Sequence, residues 1–93
     1  MTNTDSFGKE FGEELKNAVK VQIRSNNPPE VKGTFNRLIE EGVVKSDIMK
    51  MLASAMAGEV YDMMKEKRKF QEENYIKYLH QLPTMPWDNK KTT

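Results

Sequence analysis

The chain contains no cysteine, which removes disulfides, iron–sulfur clusters, thiolate zinc sites and thiol catalysis together. It contains one histidine, His80, so any site that needs two imidazoles is excluded. No apolar run approaches the roughly 20 residues that cross a bilayer. Met1 to Ser6 is polar and lacks the basic-then-apolar order of a secretory leader. No membrane partner is expected, and the expected location is cytoplasmic. Neither sign of charge dominates: 15 basic against 14 acidic residues leave a net charge of +1. That balance does not mark a nucleic-acid partner. The chain also lacks a phosphate loop, a dinucleotide fingerprint, a calcium-loop pattern and a serine elbow. No catalytic residue, cofactor or metal site is expected.

What is present is helical pattern with punctuation. Ninety-three residues suffice for one small domain. No stretch alternates with the period of a strand, so the spacing predicts an all-α fold: a compact bundle of four helices over about 7–24, 28–41, 47–67 and 72–82. Residues 1–83 form the single domain in this reading, and a mobile tail follows over 84–93. Phe7, Phe11, Leu15 and Val19 recur every four residues on the first helix, with Ala18 beside them. Asn27, Pro28 and Glu30 read as cap, first position and capping-box partner of the second. Val31, Phe35, Leu38 and Ile39 form its inward stripe, and Gly42 is its left-handed stop. Ser46 reads as the cap of the third helix. Phe70 before a Gln71 cap can pack on Tyr75, which reads as a hydrophobic staple. Tyr75, Tyr78, Leu79 and Leu82 share a face of the fourth helix, and Pro83 ends it. Short links favour antiparallel neighbours.

The third helix is the unusual one. At about 100° per residue its apolar side chains fill a very wide arc. Ser54, Ala55 and Gly58 form an edge of small residues where another backbone can come close. Five of the seven methionines sit here: Met49, Met51, Met56, Met63 and Met64. A chain of this size buries only about 60–65% of its extended surface, and association is a common remedy. Met49, Met51, Met56, Val60, Met63 and Met64 are therefore the interface candidates, toward a second copy or another protein.

Glu59 falls at the centre of that apolar arc. A buried carboxylate needs partners or takes up a proton. Tyr75, Tyr78, His80 and Arg37 are the candidate partners. A hydrogen bond that fixes helix register is favoured over an acid or base with a raised pKa. His80, without companion ligands, reads as a boundary residue. The pair of helices over 28–67 has the outline of a helix-turn-helix. The start of its second helix, Ser46-Asp47-Ile48-Met49-Lys50-Met51-Leu52, is acidic and apolar where a DNA reader offers basic and polar groups, and an ordinary hairpin is favoured.

The order Pro28-Pro29-Glu30, Arg37-Leu38, Glu41-Gly42, a long helix through Leu52, Ala53 and Glu59, then Phe70, Tyr75, Leu79 and Leu82-Pro83 resembles a group of small, uncharacterised bacterial all-helical domains. The likeness spans roughly residues 22–83. Some longer members carry histidines early in the third helix. This chain has Ser46 and Lys50 there, so no metal site carries over. The resemblance implies a bacterial cytoplasmic protein with this fold and supplies no activity. The leading expectation is a non-enzymatic interaction or self-association module, a homodimer above all. A DNA-associated regulator using 28–67 is the first alternative. A small-ligand binder or enzyme around Glu59 is the second.

Overall fold

Three turns fold this chain back on itself, and the same hydrogen-bond pattern closes each of them. The computed structural model describes residues 2–88, with side chains from residue 9 onward. The Phe7 side chain and the tail residues 89–93 lie outside what is described. The helices are α1 (Thr2–Ser25), α2 (Pro29–Glu40), α3 (Lys45–Glu66) and α4 (Glu72–Gln81), with no strand among the described residues. The all-α bundle with short links is thus present, and the boundaries shift by a few residues.

α1 ends at Asn26, in the left-handed region at φ 55°. Asn27 N donates to Gln22 O at 3.1 Å and Asn26 N to Ile23 O at 3.2 Å. α2 ends at Gly42, φ 93°, with Val43 N on Leu38 O and Gly42 N on Ile39 O, both at 3.0 Å. α3 ends at Lys67, φ 55°, with Arg68 N on Met63 O at 3.0 Å. Each is a Schellman close, which satisfies the orphan carbonyls of a last turn. Gly42 shows itself in the sequence because glycine takes positive φ freely. Asn26 and Lys67 do not show themselves in this way.

The N-termini differ more from expectation. Pro28, not Asn27, is the N-cap of α2, with extended φ −75° and ψ 149°, and Pro29 takes the first position, where the missing N–H is no loss. Val44, not Ser46, caps α3 without a side-chain hydrogen bond. Its carbonyl accepts from Ile48 N at 3.0 Å, so the helix starts two residues early. Gln71 is the N-cap of α4. Phe70 packs edge-on against Tyr75 with ring centroids 5.8 Å apart, as the staple requires.

α3 packs against all three other helices, and α2 against α1 and α4. α1 runs antiparallel to α3: Phe11 shares a groove with Ala57 and Tyr61, and Ile23 shares one with Lys45 and Met49. The core takes Leu15 and Val19 from α1, Val31 and Leu38 from α2, Ile48, Leu52, Ala53, Ala55 and Met56 from α3, and Tyr75 and Leu79 from α4, closed by Leu82. Two stripe residues miss it. Ile39 and Phe11 are both 45% exposed, and buried Thr34 lies on the inward face of α2 instead. Tyr75 crosses the bundle and donates its hydroxyl to Gln22 Oε1 of α1 at 2.7 Å. Arg37 reaches from α2 to Leu79 O in the last turn of α4 at 3.2 Å.

The segment after α4 does not behave as a free tail over its described part. Pro83 to Asp88 forms a hook: Thr84 N donates to Gln81 O at 2.9 Å and Asp88 N to Met85 O at 3.0 Å. Pro86 is buried on the small-residue edge of α3. A Cβ placed on Gly58 would lie 2.8 Å from Pro86 Cβ and Cγ, so only glycine admits the proline ring there.

Two of the three left-handed stops predict opposite outcomes. Gly42→Ala should destabilise the protein by about 1 kcal/mol, and Lys67→Gly should stabilise it by up to about 1 kcal/mol, because an L side chain is strained at positive φ. Urea denaturation of the two variants checks the contrast.

Candidate functional site

The Lys67 turn has a consequence beyond closing α3, because it swings Arg68 back along the helix. The Arg68 guanidinium meets the Glu59 carboxylate with both ends: Nη1 to Oε2 at 2.7 Å and Nη2 to Oε1 at 3.2 Å. Gln71 N donates to Oε2 at 2.6 Å, and Asn74 Nδ2 to Oε1 at 2.7 Å. Glu59 is fully buried, and no buried side-chain polar atom among the described residues lacks a hydrogen-bond partner. Burial alone pushes its pKa up. The hydrogen bonds from Arg68, Asn74 and Gln71 outweigh burial and hold it below its ordinary value of 4.5. Hydrogen bonds to Glu59 and Glu66 in turn hold Arg68 above the usual guanidinium range.

This arrangement corrects the expected partners of Glu59. None of Tyr75, Tyr78, His80 and Arg37 donates to it. Tyr75 bonds Gln22, Arg37 bonds Glu41 and Leu79 O, and exposed His80 lines a shallow cleft with Glu30 and Arg37. A carboxylate held ionised by four donor contacts is a poor proton carrier at neutral pH. The register-fixing role agrees with this geometry. The real partners lie in the loop and in the first turn of α4.

The lock extends outward through Asn74. The same Asn74 amide nitrogen donates to Asp62 Oδ2 at 3.0 Å, and the Tyr78 hydroxyl donates to that oxygen at 2.5 Å. Burial and then the Asp62 hydrogen bond push Tyr78 up to about 12, which keeps it a neutral donor. Asp62 and Tyr78 form part of the wall of a groove of about 530 Å³. Phe11, Ala57, Gly58, Tyr61, Pro86 and Trp87 supply the rest. A second groove, about 290 Å³, lies between α1 and α3 and shares Phe11 and Ala57 with the first. Together they follow α3 from Lys50 to Tyr61, about 17 Å at 1.5 Å per residue.

The interface candidates fare unequally. Met56 is buried in the core and is withdrawn from the surface. Met49, Met51, Val60 and Met63 are half-buried, and Met49, Met51 and Val60 pack against the core. Met64 alone stands out, 68% exposed. The exposed apolar side chains that share one groove are instead aromatic: Phe11, Tyr61 at 57% and Trp87 at 52%. Among the described residues no group of three or more His, Asp or Glu is placed to hold a metal ion. No helix among them is long and apolar enough to cross a membrane. No family model, no curated protein and no solved structure matches the chain.

Glu59→Leu should cost about 2–3 kcal/mol, because it strands buried donors, and Glu59→Gln should cost less. A lowered folded-state pKa contributes stability that is complete above the unfolded value near 4.5. The contribution fades as pH falls through the folded pKa. Urea titrations should therefore show the gap between wild type and Glu59→Gln widest near neutrality and shrinking in acid. A gap that is zero or independent of pH would remove the lock.

Proposed function

We propose that this chain is a non-enzymatic interaction module that self-associates through the groove along α3. One observation carries the reading: Phe11, Tyr61 and Trp87, all exposed, line one elongated groove, and exposed Met64 follows Tyr61 three positions on along α3. Ala57, Tyr61 and Met64 follow each other at helical spacing, so they form one stripe. Exposed aromatic residues around a groove are the usual anchors of protein contacts. A channel about 17 Å long fits an incoming helix of three turns.

The occupant is a second copy. A two-fold contact lets the Tyr61–Met64 ridge of each copy enter the groove of the other. A net charge of +1 offers little repulsion between copies. The anchors are thus aromatic residues and Met64, with Met49, Met51, Met56 and Met85 serving the core. The setting implied by the family resemblance is a bacterial cytoplasm. Nothing in the geometry favours the DNA alternative, since α3 is packed by all three other helices.

Sedimentation over roughly 1–500 μM should show a monomer–dimer equilibrium with Kd in the micromolar range. Tyr61→Ser with Trp87→Ser should weaken it at least tenfold, and Val21→Ser, at an exposed position outside the groove, should leave it unchanged. A wild-type chain that stays monomeric throughout would overturn the reading.

A further inference from the structure

A second surface cavity, of about 480 Å³, has a different chemistry and lies at the other end of the α1–α3 seam. Its lining is Lys20, Ile23 and Arg24 from α1, Phe35 from α2, and Lys45 and Met49 from α3. Ile23, Phe35 and Met49 are half-buried and packed against the core, so they form an apolar floor. The three cations are exposed around it. Lys20 and Arg24 stand one turn apart on the same face of α1, and Lys45 reaches the cavity from the first residue of α3. No carboxylate lines the cavity. None of the three cations is paired with an acid among the described residues. In a chain with nearly equal numbers of both signs, three unpaired cations around one apolar floor are a local concentration of charge.

We propose that this cavity binds a free single-chain anionic amphiphile, an alkyl carboxylate in its simplest form. The acid head sits among Lys20, Arg24 and Lys45, where charge-assisted hydrogen bonds are available. The alkyl chain covers Ile23, Phe35 and Met49, which removes apolar surface from water. The volume lies within the range of small-ligand sites, about 300–1,000 Å³. The cations surround one cavity instead of following a long stripe, which matches a compact head better than an acidic peptide. The site does not depend on self-association, because it shares no lining residue with the α3 groove.

The test uses the full chain with labelled methionine methyl groups, read by NMR. Met49 reports this cavity, and Met64, exposed far along α3 toward its other end, is the internal control. Decanoate below its micellar concentration should shift the Met49 methyl saturably by about 1 mM and leave Met64 in place. Decyltrimethylammonium, with the same tail and the opposite head, should not shift Met49. Arg24→Glu and Lys45→Glu, each checked for helical content, should weaken decanoate binding about tenfold. Equal response to both amphiphiles, no saturable Met49 shift, or undiminished decanoate binding in both variants would overturn the proposal. Binding to phosphatidylglycerol vesicles without binding of free decanoate would overturn it as well, in favour of a lipid surface.

Discussion

The Glu59 carboxylate governs this small bundle. It sits on the most apolar helix, fully buried, where an uncompensated charge would be costly. Its donors come from outside that helix: Arg68, the Gln71 amide and Asn74. Meeting its hydrogen bonds fixes the corner between α3 and α4. Asn74 then holds Asp62, and Asp62 holds the Tyr78 hydroxyl. Tyr78 lies against the Gly58 edge where Pro86 docks. The wall of the aromatic groove is thus connected, bond by bond, to one buried charge.

Legibility in the sequence followed the range of each signal. Local signals carried well: the Gly42 stop, the Phe70–Tyr75 staple and the inward positions of Leu15, Val19, Leu38, Leu52, Tyr75 and Leu79 all find their places. Glu59 was visible as a charge in an apolar arc. Its partners were not, because Arg68 reads as an ordinary cation at a helix end. Only the left-handed Lys67, which has no glycine to announce it, turns Arg68 back. Pro86 escaped for a similar reason. Prolines near a chain end suggest a loose tail, and the edge that receives the ring is visible only as Gly58 on a distant helix. The methionines misled because a wide apolar arc marks a central helix as much as an interface, and here three neighbours cover most of it.

The α1–α3 seam now has a distinct chemistry at each end. Toward Phe11, Tyr61 and Trp87 it is aromatic and open. Toward Lys20, Arg24 and Lys45 it is cationic over an apolar floor. The antiparallel course of α1 along α3 sets both ends, since each half of α1 meets the opposite half of α3. A net charge of +1 hides this polarity, because Lys20, Arg24 and Lys45 meet around one cavity while acids and bases balance over the whole chain.

The most direct measurement is hydrogen exchange at the Gln71 backbone amide. An N-cap amide beside an exposed side chain ordinarily exchanges quickly, for it has no partner within its helix. Here it donates to Glu59 at 2.6 Å. Protection close to that of core amides such as Leu52 is expected in wild type, with loss of that protection in Glu59→Leu while the Leu52 amide of that variant stays protected. Exchange of the wild-type Gln71 amide at the rate of an open loop would contradict the buried lock and the groove wall built on it.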